Sequence, residues 1–500
     1  MPTIQDHDVV QTDTAVTVLE DGTGEERTFV IEEVPADGPR YQDELAPDAS
    51  LARELVGKHS GDAVVLAPGS LASRTGKITK VLNKYVSRYQ DSISNWQIRF
   101  PDDPGIESVA IMKKPDDSPD LSVLLSSLDR RQESAQRMKE VYYTKPIPVH
   151  MFAEQFGKNA FQGICMMAVE EGFTLDCSLG SREEISEALQ NLRMSNEIVL
   201  EMTAIGTLAL LNIESILQNF GAQILVSQAT INELTEMIAR DEMETGEGGY
   251  FSKEGDRYVY KERNPEEHQT HVRRLKALLS TVRSSTRTVP GREAINLEPT
   301  KRDLLHNAFG RYGTEAILLA SLPGRILWTD DHRMARFAAT EYGVRRIWTQ
   351  ALLQHCREVG KITQEDFSRS SAKLVGFEYA FTSLNPNTLM SAARIAEWEH
   401  RRWLLKQAIA QFGSGSVDLV VLLRLALLFI IQLYREPIPV DTRDSLFAEI
   451  LDSLALKPGA IGALQSSQAK FVELFGLNAV GAQQASECLE RWLNSHSFKI

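Results

Sequence analysis

Short apolar runs alternate with helical patterns through the middle of the chain. Each run is followed by a segment with apolar residues at intervals of three and four positions, the spacing of a helix with one buried face. Buried strands that alternate with helices in this way predict a mostly parallel sheet covered by helices on both faces. The strands are predicted at 198–200, 223–226, 325–328 and 344–348.

The segments on either side have different patterns. Near the N-terminus, alternating apolar and polar residues predict four strands around a short helix that ends at Gly57, and so a small α+β domain. Helical patterns dominate before and after the central segment. The fold class is therefore multidomain α/β: an N-terminal domain with its linker, a helical linker domain, a central parallel-sheet domain and a helical C-terminal domain, with expected bounds 1–118, 119–195, 196–355 and 356–500.

An insertion at about 239–305 interrupts the central domain. Its first part predicts a β-hairpin that turns at Gly255 and Asp256, and a basic helical stretch follows as far as Arg287. Aromatic rings beside cations suit stacking on bases and contact with the phosphates of single-stranded nucleic acid. The alternative is a solvated helix face beside an ordinary hairpin. The candidate RNA-binding residues are Tyr258, Tyr260, Arg273, Arg274 and Lys276.

The composition is that of a soluble globular protein, with 43% hydrophobic and 24% charged residues among 500. A net charge of −14 argues against a chain that coats nucleic acid non-specifically, but it allows a local basic site. The four cysteines are scattered without metal-ligand spacing, which favours a cytoplasmic location. The apolar run from Val417 to Tyr434 contains Asp418 and Arg424, so we expect a buried helix there and no membrane span.

Acidic residues occupy positions in the central domain where α/β folds place their chemistry. Glu201 directly follows the first predicted strand, and Asp330 with Asp331 closes the third. Both places lie at the carboxyl edge of a parallel sheet, where the ligands of such folds bind. Glu233 lies on a predicted helix, and Glu315 is expected to begin another.

These acids and their neighbours resemble the motifs of the PIN-domain nucleases. Five pieces appear in order over 196–355: Ile-Val-Leu-Glu-Met-Thr around Glu201, Ile-Asn-Glu-Leu around Glu233, Gly-Thr-Glu-Ala around Glu315, Trp-Thr-Asp-Asp ending at Asp331, and the closing Gly-Val-Arg-Arg-Ile-Trp-Thr. The departure from the family pattern is Glu201, where the family usually has aspartate. The additional methylene moves the carboxylate by about one bond and adds a rotatable torsion.

The resemblance implies a metal-dependent endoribonuclease that acts on single-stranded RNA. Converging carboxylates repel each other, by roughly 4 kcal/mol for a pair about 4 Å apart at an effective dielectric near 20. A divalent cation removes that repulsion, lowers the pKa of bound water and binds a phosphate oxygen. The resemblance assigns Mg²⁺ or Mn²⁺ to Glu201, Glu233, Glu315 and Asp331, with Asp330 as either a supporting partner or the true ligand.

The N-terminal domain has a resemblance of its own. A strand, a hairpin, an acidic loop, the run Ser-Leu-Ala-Arg-Glu-Leu-Val-Gly-Lys-His-Ser-Gly-Asp and two closing strands are similar to the C-terminal, FKBP-like domain of the Gre transcript-cleavage factors. The resemblance covers about 13–86 and implies docking on RNA polymerase. The alternative is a reused small fold with another partner. The acid-tipped helical hairpin of Gre factors has no counterpart before the first strand, so Gre activity is not expected.

Three functions remain open from the sequence. The first is an endoribonuclease held near transcription by its Gre-like domain. The second is a catalytically degenerate PIN-fold regulator that binds RNA polymerase. The third is a defence or stress effector nuclease whose C-terminal helices act as a sensor or as the surface of a homo-oligomer. Cleavage of single-stranded RNA separates the first from the second, and toxicity on expression that Glu233→Gln relieves favours the third.

Overall fold

Two compact units make up the chain, Met1–Ser127 and Leu128–Ile500. The computed structural model describes residues 8–33, 43–66, 74–95, 112–113, 119–170, 172–220, 223–243, 248–254, 257–380, 382, 384–413, 417–466, 475–476 and 478–496.

The first unit contains a five-stranded sheet in which β1 pairs antiparallel with β2 and with β5. Alternation places Val16, Val18 and Ile78 in its core beside Leu55 of the short helix. That helix ends before Gly57, which takes a φ of 86°, so the predicted helix and four strands are confirmed. The strands are β1 (Thr14–Glu20), β2 (Glu26–Ile31), β3 (Glu44–Leu45), β4 (Ala63–Val65) and β5 (Thr75–Asn83), and the helices are Ser50–Leu55 and Lys84–Ser94. A small antiparallel pair follows, β6 (Met112–Lys113) and β7 (Pro119–Asp120).

The second unit is built on a five-stranded sheet in which every neighbouring pair is parallel. Its order is β12, β9, β8, β13, β14, so the strands before Glu201 and Asp330 lie side by side at the centre. The predicted parallel sheet is therefore confirmed. The strands are β8 (Glu197–Leu200), β9 (Ile224–Ser227), β12 (Arg287–Val289), β13 (Arg325–Trp328) and β14 (Arg346–Ile347).

Strand β12 corrects the sequence prediction, which extended a basic helix as far as Arg287. The helix ends at Ser285, and β12 adds to the edge of the sheet beside β9. The physical reason lies in Thr286, Thr288 and Val289, whose β-branched side chains favour extended backbone over helix.

Helices cover both faces of this sheet, as the apolar runs predict. On one face, Leu200 and Trp328 pack into the large core that also holds Leu208. On the other, Val199 and Leu327 pack in a separate cluster with side chains of the helices before and after β13. The helices around the sheet are Met202–Leu211, Gln228–Met243, Pro265–Ser285, Pro299–Ala320, His332–Tyr342 and Thr349–Glu358, with 3₁₀ turns at Glu214–Asn219 and Arg292–Asn296.

The helical segment before the sheet shares the sheet's core. Tyr142, Phe161 and Ile164 belong to the same apolar cluster as Leu200 and Trp328. Ser181 caps the last of these helices by accepting from the N–H of Glu184. The Glu184 carboxylate does not complete a reciprocal capping box. It accepts from the N–H groups of Leu179 and Gly180 and from Arg346. The helices of this segment are Ser122–Thr144, Val149–Glu154, Ala160–Val169 and Arg182–Arg193.

The predicted hairpin is present in the insertion. Strand β10 (Gly249–Glu254) pairs antiparallel with β11 (Arg257–Glu262), so that Phe251 lies opposite Tyr260. The predicted turn residues Gly255 and Asp256 lie outside the described residues.

The C-terminal part of the second unit is helical. Its apolar side chains form a core of their own, centred on residues such as Phe429 and Leu446. Across the part of the chain that the structure describes, none of the helices combines the length and the apolar character needed to cross a membrane. The helices are Gln364–Gly376, Pro386–Ile395, Trp403–Ala410, Leu419–Leu433, Val440–Ala455 and Ala479–His496, with a 3₁₀ turn at Gln411–Gly413.

Candidate active site at the carboxyl edge of the central sheet

The two central strands of the parallel sheet end together. Leu200 of β8 lies opposite Trp328 of β13, and the N–H of Glu201 donates to the carbonyl of Trp328 at 3.0 Å. The hydroxyl of Thr329 then lies 2.9 Å from Oε2 of Glu201 and 3.2 Å from the backbone N of Asp331. The strand register therefore places these two acids at one edge of the sheet, around a shared threonine.

Glu201 is buried and bonded to neutral donors. Its carboxylate caps the helix Met202–Leu211 by accepting from the N–H of Thr203 at 2.9 Å, and the hydroxyls of Thr203 and Thr329 donate to the same oxygen. Its side chain is only 1% exposed, and burial raises the pKa of Glu201 to about 7 in spite of these hydrogen bonds. Glu201 therefore exchanges a proton near neutral pH.

Asp331 is held by three backbone N–H groups. Its Oδ1 caps the helix His332–Tyr342 by accepting from Arg333 at 2.9 Å and Met334 at 3.0 Å. Its Oδ2 accepts from the N–H of Val149, at 2.7 Å, across 182 positions of sequence. Burial raises the pKa of Asp331 to about 6.

Asp330 has different partners from Asp331. Its two carboxylate oxygens accept from the backbone N–H of Thr349, at 2.7 Å, and from the Thr349 hydroxyl, so it ties β13 to the start of the helix Thr349–Glu358. Burial raises the pKa of Asp330 as well. The two neighbouring acids, which the sequence leaves as alternatives, therefore differ in their partners. Asp330 accepts from Thr349 within the sheet domain, whereas Asp331 also accepts from Val149, which precedes that domain.

Glu233 is the most accessible of the candidate acids. It lies on the helix Gln228–Met243, as predicted, and its side chain is 25% exposed. Its Oε1 accepts from the side-chain amide of Asn159 at 3.0 Å and lies 3.4 Å from Nη2 of Arg240.

Glu315 lies against the start of the Glu233 helix. Its Oε2 accepts from the N–H of Ala229 at 3.2 Å, and its Oε1 lies 3.1 Å from Nε of Arg311. A Cβ atom on Gly291 would come within 2.3 Å of the Glu315 carboxyl carbon, so this position accommodates only glycine beside that carboxylate.

The expectation that Glu315 begins a helix is wrong. Glu315 lies within the helix Pro299–Ala320, which is broken at Gly310 by a φ of 69°, and helical backbone resumes after that glycine. A positive φ is readily available to glycine because it has no Cβ. The break redirects the second half of the helix, which carries Tyr312 and Glu315.

Tyr312 lies among the acids and was not predicted from the sequence. Its hydroxyl accepts from the N–H of Ala160 at 2.8 Å and shares a 2.8 Å hydrogen bond with Nδ1 of His150. Burial, and then the nearby charges of Glu201 and Glu233, raise the pKa of Tyr312 well above its ordinary value. The charges of both carboxylates therefore act on Tyr312.

Two residues that look isolated in the sequence prove to be connected to this edge. His150 bonds to Tyr312. Asp176 forms a 3.1 Å ion pair with Arg333 at the start of the helix that Asp331 caps. Neither carries a local sequence signal, since both partners lie more than a hundred positions away.

The candidate acids do not form a ready-made metal site in this arrangement. Carboxylate oxygens are the ligands that Mg²⁺ and Mn²⁺ prefer. Among the described residues, however, no three histidine, cysteine, aspartate or glutamate side chains come together closely enough to hold an ion. Each candidate carboxylate instead accepts from protein N–H, hydroxyl or guanidinium groups. The donor chemistry suits a divalent ion, but the arrangement does not fit one.

The candidate RNA-binding residues are largely engaged with other groups. Both carboxylate oxygens of Asp129 accept from the hydroxyl of Tyr258, and Lys253 pairs with the same aspartate. Tyr260 is half exposed and packs on Phe251. The three cations are held by Thr270, by the carbonyl of Ala209 and by Glu242, for Arg273, Arg274 and Lys276 respectively.

Comparison with known families identifies the central segment. Residues 199–340 match the family described as the PIN domain associated with the TPR-GreAB-C-PIN system. The match contains all five candidate acids and supports a PIN domain, a fold of the nuclease type. No curated protein and no solved structure matches the chain.

Proposed function

We propose that this chain is a phosphodiesterase of the PIN type that cleaves single-stranded RNA. The observation that carries the proposal is the meeting of Glu201 and Asp331 around Thr329 at the carboxyl edge of a parallel sheet, within the segment that matches a PIN domain. Glu315 accepts from Ala229, which lies just after β9, and Glu233 lies on the helix that begins there. Buried acids with raised pKa values destabilise a fold, and such groups concentrate at functional sites.

The titration behaviour of these acids suits proton transfer to and from a phosphodiester. General acid–base catalysis is most effective when the pKa of the group lies near the working pH. The pKa of Glu201 is about 7 and that of Asp331 is about 6. The proposal includes dependence on Mg²⁺ or Mn²⁺, because carboxylates are their preferred ligands. The described arrangement must change before three of these acids can reach a single ion.

Glu233→Gln will lower the rate of cleavage of end-labelled single-stranded RNA in Mn²⁺ by about tenfold or more. Glutamine keeps an oxygen for the amide of Asn159 but loses the charge, so the fold is expected to be unaffected. Glu236→Gln, on an exposed position of the same helix, is the matched control and will cleave like the parent protein. Equal rates for the two variants would exclude Glu233 from the site. Absence of chelator-sensitive cleavage with any divalent metal would favour a degenerate PIN fold that only binds.

The first unit suits a tether to RNA polymerase. Its strands and helix occur in the order that the Gre-like resemblance requires, and the matched PIN family is described as associated with a system that includes GreAB-C. The full chain, used as bait, is expected to retain core RNA polymerase. Failure to retain the polymerase would contradict the proposed tether and leave the proposal of a nuclease that acts independently of transcription.

A further inference from the structure

We infer that residues 145–162, called the strap here, close the acidic edge of the central sheet and keep its activity low until they are displaced. The inference rests on the proposed function, since it describes regulation of the same site. The strap includes the helix Val149–Glu154 and the start of the helix Ala160–Val169. It lies outside the segment 199–340 that matches the PIN domain.

Three contacts place the strap directly on the site. The N–H of Val149 donates to Oδ2 of Asp331 at 2.7 Å, and the side-chain amide of Asn159 donates to Oε1 of Glu233 at 3.0 Å. The N–H of Ala160 donates to the hydroxyl of Tyr312, whose pKa is raised by the charges of Glu201 and Glu233, at 2.8 Å. The strap therefore touches the site at three separate points.

The contacts occupy the atoms that catalysis needs. A carboxylate oxygen that accepts an N–H at 2.7–3.0 Å uses one of its two lone pairs for that donor. A metal ion or a water molecule that approaches from the side of the donor must displace it. The contacts of the strap thus explain why carboxylates of the chemistry that a divalent ion prefers are not arranged to hold one.

The strap has the features of a segment that can open locally. Its helix Val149–Glu154 has six residues, too few for a helix to be stable without packing. Phe152 supplies that packing by meeting Tyr142 and Phe173 at ring distances of 5.8 and 5.3 Å. The intervening residues Gln155, Gly157 and Lys158 are exposed. Its apolar side chains, such as Val149 and Phe161, are nevertheless buried in the large core, so opening has a free-energy cost and the closed form dominates.

Val149→Pro tests the inference by removing one hydrogen bond without breaking a helix. Val149 is the first residue of its helix, where proline is favoured, and Pro148 before it already has the extended φ and ψ of −66° and 160° that a following proline needs. The substitution removes the N–H and places a ring carbon against Oδ2 of Asp331, so the strap must move. Val440→Pro is the matched control: Val440 also opens a helix after a proline, at an exposed position remote in sequence from the acids.

Val149→Pro is expected to cleave single-stranded RNA in Mn²⁺ about tenfold faster or more, relative to the wild-type chain and to Val440→Pro. Hydrogen exchange will show lost protection at residues 149–162 in Val149→Pro alone. Loosening of the strap with no rise in a measurable wild-type rate would overturn the inference and leave the nuclease proposal intact.

Asn159→Ser provides an independent test if the proline variant fails to fold. Serine keeps the N-cap that Asn159 supplies to its helix by accepting from Gln162, but it removes the amide donor to Glu233. The rate increase should have the same direction and a smaller size. If none of the proteins cleaves RNA, the affinity for Mn²⁺ is measured by electron paramagnetic resonance. An affinity about tenfold higher in either variant than in wild type supports the inference about the strap. Equal affinities overturn it.

Discussion

Glu201→Gln will raise the free energy of unfolding at about pH 8 by about 2–3 kcal/mol and leave it almost unchanged at about pH 4. The reason is the cost of an ionised carboxylate in a buried site. Burial raises the pKa of Glu201 from its ordinary 4.5 to about 7. Below about pH 4.5 the residue is protonated in both the folded and the unfolded chain, so it contributes no difference there. As the pH rises towards 7 the unfolded chain ionises first, and stability is lost over that window.

Glutamine avoids this loss because it carries no charge at any of these pH values, and its oxygen still accepts from the N–H of Thr203. Hydrogen exchange of the strands Glu197–Leu200 and Arg325–Trp328 measures the effect on the sheet itself. Glu236→Gln, at an exposed position, is expected to change the free energy of unfolding by less than about 0.5 kcal/mol. A pH dependence of stability that is the same in Glu201→Gln and in wild type would contradict the buried-acid interpretation of this site.

Asp331→Asn will reduce RNA cleavage by about 100-fold or more while the chain stays folded. Asparagine is as good an N-cap as aspartate, so the oxygen that accepts from Arg333 and Met334 is retained, while its NH₂ group replaces the oxygen that accepts from Val149. The lost negative charge removes a metal ligand and a proton acceptor together.

Asp330→Asn is the companion variant for Asp331→Asn. Its amide still meets the N–H and the hydroxyl of Thr349, so its effect on the rate should stay below about tenfold. Rates for the two variants in the same RNA assay decide which neighbouring acid belongs to the site. A larger loss in Asp330→Asn than in Asp331→Asn would exchange their assigned roles.

Much of the central fold was predictable because its determinants are local. Runs such as 326–328 are apolar on both faces, and the residues after them follow helical spacing. Once the strands are parallel, their carboxyl ends share an edge, so Glu201 and Asp331 were expected to meet. The edge strand at Arg287–Val289 was missed because a basic helix runs directly into it and the strand is short.

The closure of the site was not predictable, and the reason lies in the atoms that make it. Val149 and Ala160 contribute backbone N–H groups, which every residue except proline carries, so no pattern of side chains in the sequence predicts these contacts. Asn159 looks like an ordinary helix cap, and it is one, but its second polar group reaches Glu233. Long-range contacts of this kind appear only when the chain is folded.

Binding of Mn²⁺ to Val149→Pro, with and without Asp331→Asn in the same chain, tests most directly whether the acids share an ion once the strap is displaced. Electron paramagnetic resonance at about pH 8 counts the bound ion. Val149→Pro is expected to bind Mn²⁺ about tenfold more tightly than wild type, and the added Asp331→Asn substitution is expected to abolish that gain. Equal affinity in all three proteins would mean that these acids do not converge on a metal even when the strap is open.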